Sequence, residues 1–486
     1  MRRWALALDH AFDASFGAAG NPLKQLGALA FLLLWLLALT GVVLYALLDT
    51  SAAGAYASID ALSREPWSAG SALRGLHRYG ADAFVLVMLL HLLREWVYGR
   101  QGGFRAYSWW TGVLLLPIAY ACAINGFWIN WDRLGQFSAI ATAEWLDALP
   151  FLGSPLARNF LQGAVADRLF SLFVFVHLGL PLLLVFACWA HVQRIGRPDV
   201  FPLRKLALGT CALLLVMALA LPVQSQGPAD LASAPQRLSI DWLLLFLHPL
   251  VDATGAQVTW ALLAVVLSGL VALPLLRRVP AQPVAVVVPN QCSGCGRCVD
   301  DCPFAAITLV PHPLRHVGVQ LARVDAQLCA SCGICAGACP SSTPFRKTDV
   351  LVTGIDMPQA PVAQLRERLQ QGLAAGRRRV VFGCDHGARV DTLQAPDLLA
   401  LSLPCAANLP PSFVDYALRQ GAREVVVAGC REGGCAFRLG QRWTEERLRG
   451  LREPHLRREV PASGWRTVWA DAGEETRLRE ALEVTP

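Results

Sequence analysis

Long apolar runs separated by short charged connectors fill the first 278 residues, and the pattern changes twice after that. Runs long enough to cross a bilayer, about 20 residues each, occur at 23–48, 80–98, 107–127, 169–192, 206–223 and 256–276. The apolar stretch 242–251 is too short to span and reads as a half-helix before the last crossing. Residues 1–22 mix Arg2, Arg3, Asp9 and Asp13 with apolar positions, the pattern of an interfacial amphipathic helix and not of a secretory leader. Residues 279–289 (VPAQPVAVVVP) have no helical period and read as a linker. A cysteine-rich module, 290–345, and a second linker, 346–372, follow. The remainder, 373–486, has the pattern of a small α/β domain. It shows strands at 379–383, 398–403, 424–428 and 467–470, and helices at 411–420, 436–451 and 474–483. The fold class is multidomain: an all-α transmembrane helix bundle at 23–278, an α+β module, then the α/β domain.

Composition supports the membrane assignment. Hydrophobic residues make up 54% and charged residues 16% of 486 positions, with a mean hydropathy of +0.41. One set of span ends carries twelve Lys and Arg residues, among them Arg94, Arg100, Arg194 and Arg204; the other carries six, among them Arg64, Arg133, Arg158 and Arg237. The positive-inside rule then puts both termini and everything after 278 on the cytoplasmic side of an inner, multi-pass membrane protein. The net charge of +7 is accounted for by these loops and does not point to nucleic acid. The 15 cysteines fall as eight in two regular runs, four near the C-terminus, and Cys122, Cys188 and Cys211 in apolar helices. That usage indicates metal ligation in a reducing compartment, not a disulfide framework.

Two histidine pairs organise the membrane half. His77 and His91 are 14 residues apart (91 − 77), as are His177 and His191 (191 − 177). That spacing is about 21 Å along a helix and within about 40° of one face. Two such helices facing each other can hold two stacked b haems. His77 with His177 would clamp the outer one, and His91 with His191 the one on the cytoplasmic side. Gly27 and Gly41, and again Gly112 and Gly126, repeat the same interval and would leave room for the porphyrins. Arg74 and Arg94 lie one turn from a histidine. They read either as propionate partners or as ordinary interfacial arginines.

These features make residues 1–278 resemble the cytochrome b of quinol-oxidising cytochrome bc and b6f-type complexes. The segments GFWINWDRLGQFSAIATAEWLDALPFLG from Gly126 and PADLASAPQRLSIDWLLLF add to the likeness. The resemblance implies membrane quinone or quinol as substrate. The family's Pro-Glu-Trp-Tyr signature is replaced here by Ile240, Asp241, Trp242 and Leu243. Asp241 either accepts a quinol proton or caps the half-helix that follows it.

The cysteine runs are Cys292, Cys295, Cys298, Cys302 with Pro303, and Cys329, Cys332, Cys335, Cys339 with Pro340. Both are C-x2-C-x2-C-x3-C-P, the pattern of two-cluster 4Fe–4S ferredoxins, in which each fourth cysteine serves the other cluster. One cluster would then take Cys292, Cys295, Cys298 and Cys339; the other would take Cys329, Cys332, Cys335 and Cys302. His312 and His316, between the runs, read as surface residues. In the α/β domain Cys384, Cys405 and Cys430 follow three strands and Cys435 lies nearby. All four would therefore stand at the sheet edge where α/β folds bind ligands. A 2Fe–2S cluster and a zinc ion are the competing occupants. The segments FGCDHGA, LPCAANLPPSFVDYAL and VAGCREGGCAFRLGQRW resemble the delta subunit of methyl-viologen-reducing hydrogenases. That is a 2Fe–2S protein which wires a hydrogenase to a flavin-containing heterodisulfide reductase. Where that family has a second cysteine this chain has Gly387, beside His386.

The resemblances imply electron transfer between membrane quinone and a cytoplasmic flavoprotein or heterodisulfide-reductase-like partner, through two b haems, two 4Fe–4S clusters and a 2Fe–2S cluster. Homodimerisation is left open. The rival expectation is a non-catalytic anchor and electron conduit within a larger complex.

Overall fold

Apolar periodicity, closed by caps, produces the helical half of the chain. The computed structural model describes residues 2–150, 156–160, 167–233, 237–276, 282–313, 315 and 318–483. The side chains of Arg2, Arg3 and Arg158, and residues Arg277, Arg278 and His316, lie outside the described residues. The helices are α1 (Arg2–Phe16), α2 (Leu26–Leu47), α3 (Ala55–Ala61), α4 (Ala69–Val97), α5 (Ala106–Asn130), α6 (Arg133–Asp147), α7 (Asp167–Val192), α8 (Arg204–Ala220), α9 (Leu247–Thr254) and α10 (Ala256–Leu276). Ser68 caps α4 by accepting the Ser71 amide at 3.1 Å, and Asp132 caps α6 by accepting the Gly135 amide at 2.8 Å. The chain divides into two compact units, Met1–Gln193 with Asp199–Val279, and Arg194–Pro198 with Pro280–Pro486.

In the first unit α2 packs on α4, α5 on α7, and α8 on α4. Their shared core holds Leu33, Leu34, Phe84, Val85, Leu115, Ala119, Leu184 and Leu214. Among the described residues four helices are long and apolar enough to cross a membrane: Pro22–Leu47, Gly103–Asn130, Asp167–Val192 and Ala256–Leu276. The other two expected spans form helices of different character. The 29 residues of α4 reach about 43 Å but carry Arg74, Arg78, Asp82, Arg94 and Glu95. The 17 residues of α8 reach only about 25 Å, against a hydrocarbon core of about 30 Å. The half-helix expected from 242 begins instead at Leu247, because Asp241 holds the preceding turn by accepting the amides of Leu243 and Leu244 at 2.8 and 2.7 Å.

The second unit opens with β1 (Val286–Val287), α11 (Arg297–Asp300), β2 (Ile307–Pro311), β3 (Gln320–Val324), α12 (Ile334–Ala338) and β4 (Ile355–Asp356). β2 and β3 form an antiparallel hairpin, and β1 pairs antiparallel with β4. There follow α13 (Val362–Ala374), β5 (Arg379–Cys384), β6 (Leu398–Leu403), α14 (Ser412–Arg419), β7 (Glu424–Gly429), α15 (Gly440–Leu448), β8 (Trp465–Trp469) and α16 (Glu475–Leu482). The four strands make one parallel sheet in the order β6-β5-β7-β8. Val380, Val381, Val425, Val426 and Val427 are almost fully buried, as expected of parallel strands covered on both faces. Residues 346–372, expected to be a linker, hold β4 and most of α13. The latter packs against β6, with Val362, Leu365, Leu369 and Leu373 on its buried side.

Candidate metal centres

One histidine of each pair meets its counterpart across helices. The imidazoles of His77 on α4 and His177 on α7 stand 6.3 Å apart between ring centroids, at 67° to each other. Metal–nitrogen bonds of about 2 Å on either side of one iron put two ring centroids about 6 Å apart, so this pair is already at clamping distance. Each glycine of the repeated pairs faces a histidine. An added Cβ at Gly41 would lie 3.1 Å from His77 Cε1, at Gly126 2.9 Å from His177, at Gly112 3.1 Å from His191, and at Gly27 3.5 Å from His91. The ring orientations are fixed from behind. His77 Nδ1 is 3.0 Å from Thr40 Oγ1, His191 Nδ1 is 2.9 Å from Thr111 Oγ1, and His177 Nδ1 is 3.0 Å from the Cys122 carbonyl. With Nδ1–H donating to these oxygens, Nε2 would be left free to ligate. Thr40 and Thr111 are candidate positioning residues that sequence reasoning missed; their signal is a Thr-Gly dipeptide at Gly41 and Gly112, each of which faces the same histidine as its threonine.

A cavity of about 760 Å³ opens at the His77–His177 level. It falls within the roughly 300–1,000 Å³ usual for ligand and cofactor sites. Gly41, Gly126, Arg74, Phe127, Gln226 and Asp241 are in its wall. Arg74 is buried and donates to Ser63, Asn130 and Ser225 at 2.9, 3.1 and 2.8 Å. Arg94 is engaged by the Asp9 carboxylate of α1 in a bidentate pair at 2.7 and 2.9 Å. Asp241 pairs with Arg78, which also holds Asp82 at 2.7 Å, and its other oxygen caps the turn described above.

In the second unit the two cysteine runs fold alike. Gly294 and Gly296 have φ of +67° and +79° around Cys295; Ser331 and Gly333 have +58° and +76° around Cys332. Left-handed residues flanking the second cysteine of each run turn successive amides toward the sulfurs, the geometry of an anion nest. Cys292, Cys295, Cys298 and Cys339 line one cavity of about 30 Å³. Burial pushes the Cys298 thiol up to about 12, with Cys339, Cys292 and Cys295 adding to the rise. Burial likewise raises Cys332 and Cys335, each with Cys302 and Cys329 adding to it. Cys339 thus lies with the three cysteines of the first run, and Cys302 is close enough to Cys332 and Cys335 to act on both. Cys295 is exposed. His312 is buried, its Nε2 3.1 Å from the Pro289 carbonyl, and so is not the surface residue expected.

The carboxyl edge of the parallel sheet gathers the remaining four cysteines, each at most 5% exposed. Cys384 ends β5, Cys430 follows β7, and Cys384 Sγ lies 4.0 Å from Cys430 Sγ. Cys405 and Cys435 both close on Gly440. Contacts from Cys405 and Cys430 hold the Cys384 thiol well below its ordinary range, and the same two do so for Cys435. His386 lies edge-on to Phe437, with ring centroids 5.0 Å apart. Among the described residues no three His, Cys, Asp or Glu side chains are drawn in to the spacing of a single bound ion.

Residues 21–197 match the family model for cytochrome b/b6/petB, residues 291–343 that for a 4Fe-4S dicluster domain, and residues 382–484 that for the delta subunit of methyl-viologen-reducing hydrogenase. A solved chain titled "Hyperthermophilic respiratory Complex III" is 19% identical with a TM-score of 0.43, over 52% of this chain and 74% of that one. The cytochrome b match implies haem b, and the dicluster match implies 4Fe–4S clusters. Along its length this is a membrane protein with a helical region similar to cytochrome b/b6, then a 4Fe-4S dicluster region, then an α/β domain similar to a hydrogenase delta subunit.

Proposed function

We propose that this chain carries electrons between membrane quinone and a cytoplasmic redox partner. The observation that carries the reading is the 6.3 Å separation of the His77 and His177 rings, each faced by a glycine and held at Nδ1. His77 with His177 would hold the outer haem, and His91 with His191 the haem nearer the cytoplasmic face. The crossed cysteine sets would hold two 4Fe–4S clusters, and Cys384, Cys405, Cys430 and Cys435 a 2Fe–2S cluster. Six crossings would leave both termini and the iron–sulfur domains in the cytoplasm, where a flavoprotein or heterodisulfide-reductase-like partner would exchange electrons with them. Haem and clusters supply one-electron chemistry; the protein supplies ligation, spacing and burial. Arg74 faces the outer cavity and remains the better placed of the two arginines for a propionate.

A second reading, that of a conduit whose quinone chemistry belongs to another subunit, is favoured by Asp241. Its carboxylate is held by Arg78 and two backbone amides, which leaves it poorly disposed to take a quinol proton. Adding a short-chain quinol to the purified, oxidised chain separates the two readings. Reduction of the haems, seen optically, supports a quinone site in this chain; no reduction without a second subunit supports the conduit. The 4.0 Å Cys384–Cys430 distance also suits zinc, whose bonds of about 2.3 Å place tetrahedral thiolates about 3.8 Å apart. Iron, sulfide and zinc analysis of the purified chain decides that point: one zinc per chain, with iron for the two 4Fe–4S clusters alone, excludes the 2Fe–2S cluster.

A further inference from the structure

Arg447 on α15 is 1% exposed and heads the largest fully buried side chains of the described residues. Its Nη1 donates to the Ala407 carbonyl at 2.8 Å. Its Nη2 pairs with the Asp301 carboxylate and reaches the Ile334 carbonyl at 3.4 Å. These acceptors belong to three cysteine-bearing segments. Asp301 immediately precedes Cys302, Ile334 lies between Cys332 and Cys335, and Ala407 is two residues past Cys405. A Cβ on Gly337, two residues after Cys335, would stand 3.0 Å from Nη1, so the guanidinium lies against the backbone of the second run. Gly440, at the start of the same helix, adjoins the sulfurs of Cys405 and Cys435 and the Ile334 side chain. Arg452 shares Asp301, with Nε at 2.9 Å, lies over the Trp443 ring at 4.3 Å, and meets the rim residue Glu446 at 3.5 Å.

Two features of this group go beyond holding segments together. Arg447 is a fully buried guanidinium whose one carboxylate partner, Asp301, is shared with Arg452, so its charge is only partly offset locally. In addition, Arg447 Nε is buried and has no hydrogen-bond partner among the described residues. Buried guanidinium donors are ordinarily all used, so this Nε–H would be available to a group held by the adjoining cysteine segments.

We propose that Arg447 is a positioning residue that poises the reduction potentials of the sites held by Cys302, Cys329, Cys332, Cys335 and by Cys384, Cys405, Cys430, Cys435. The proposal rests on the reading that both sets hold iron–sulfur clusters. Each reduction adds one electron and one negative charge to a cluster. A buried cation and a donated hydrogen bond favour that state and raise the potential. Transfer between the two sites oxidises one cluster and reduces the other, with no bond made and no proton moved.

The test is an EPR-monitored redox titration of the full chain purified in detergent, with the haem midpoints as internal reference. Arg447→Gln is expected to lower the reduction equilibrium constant of both sites about tenfold, which is about 59 mV for a one-electron couple. Arg447→Lys, which keeps the charge, should stay within about threefold of wild type, or about 28 mV. Asp301→Asn should shift the same sites in the opposite direction, because it removes the compensating anion; a purely structural role does not predict opposite signs. Wild-type protein without iron–sulfur signals overturns the underlying reading, and the proposal with it. Wild-type signals with unshifted variants, or an equal shift of the haems, overturn the proposal alone. If Arg447→Gln assembles without clusters, Asp301→Asn decides: a raised potential supports the proposal, and an unchanged or lowered one overturns it.

Discussion

Placing a side chain at Gly126 tests the haem reading where the structure is tightest. A Cβ there would stand 2.9 Å from His177 Cε1 and 3.5 Å from Nδ1. Unstrained carbon contacts begin at about 3.5 Å, so the ring must retreat by about 0.6 Å. His177 Nδ1 is tethered to the Cys122 carbonyl at 3.0 Å, and the displacement therefore falls on the ligating end. Metal–ligand distances tolerate only about 0.2 Å. Overpacking of this kind costs about 1–3 kcal/mol. At about 1.4 kcal/mol per decade, that is a roughly 5- to 150-fold loss of haem affinity for Gly126→Ala. Gly126→Leu should remove the haem altogether. The Cβ contacts rank the alanine variants, with Gly126 most damaging, Gly41 and Gly112 next at 3.1 Å, and Gly27 mildest at 3.5 Å. Gly179, on α7 with nothing within 4 Å, is the control. Haem per chain, measured as the pyridine haemochrome against protein concentration, should fall from two toward one in Gly126→Leu and stay at two in Gly179→Ala. Two haems with an unchanged spectrum in Gly126→Leu would refute the reasoning, as would a Gly179→Ala variant as damaged as Gly126→Ala.

The other predictions use different probes. Thr40→Val and Thr111→Val remove the oxygens at 3.0 and 2.9 Å from the His77 and His191 Nδ1 atoms. Each should weaken retention of its own haem about 10- to 100-fold, read by haem loss to apomyoglobin; equal loss of both haems in either variant contradicts the assignment. Cys339→Ser should abolish the cluster of Cys292, Cys295 and Cys298, and Cys302→Ser the other, each removing about four irons per chain. EPR showing both variants missing the same cluster would exclude the crossed arrangement. Burial raises the pKa of Asp356, against the amides of Met357 and Val362 that it accepts. A carboxyl raised on folding contributes stability that is present below its unfolded value of about 3.9 and lost as pH rises through the folded value. Asp356→Asn should therefore gain on wild type in thermal unfolding as pH increases from 4 to 7, and a constant difference would rule this out.

How much could be read from the chain alone depended on the range of the interaction. Ligand spacing is local: 14-residue intervals on a helix, and two- and three-residue intervals in a cysteine run, determine which side chains share a face or a loop. The candidate haem and cluster residues were legible for that reason. The Thr-Gly dipeptides at 40–41 and 111–112 were equally local, but a threonine in an apolar helix ordinarily bonds its own backbone. Thr40 does that too, toward the Leu36 carbonyl at 2.7 Å. Most of α13 was hidden in a supposed linker because Arg366, Arg368 and several glutamines masked the apolar stripe of Val362, Leu365, Leu369 and Leu373. Contacts such as Asp9 with Arg94 and Asp301 with Arg447 join residues 85 and 146 positions apart, and no periodicity reports them.

The C-terminal site shows why its four thiols could be placed at one edge before any coordinates. In parallel strands the register Cys384↔Leu403 and Phe382↔Val427 carries all three chain exits to the same side of the sheet. A cysteine within two residues of each strand end must then arrive there, and a one-residue slip would turn Cys384 to the other face. What spacing does not carry is the closure of the site. Cys435 comes not from a strand end but from the loop before α15, and Gly440 lets that helix start against the sulfurs of Cys405 and Cys435. A side chain at Gly440 would meet both sulfurs at once. The same helix carries Arg447 seven residues on, so the element that closes the four-cysteine site also delivers the buried charge beside it.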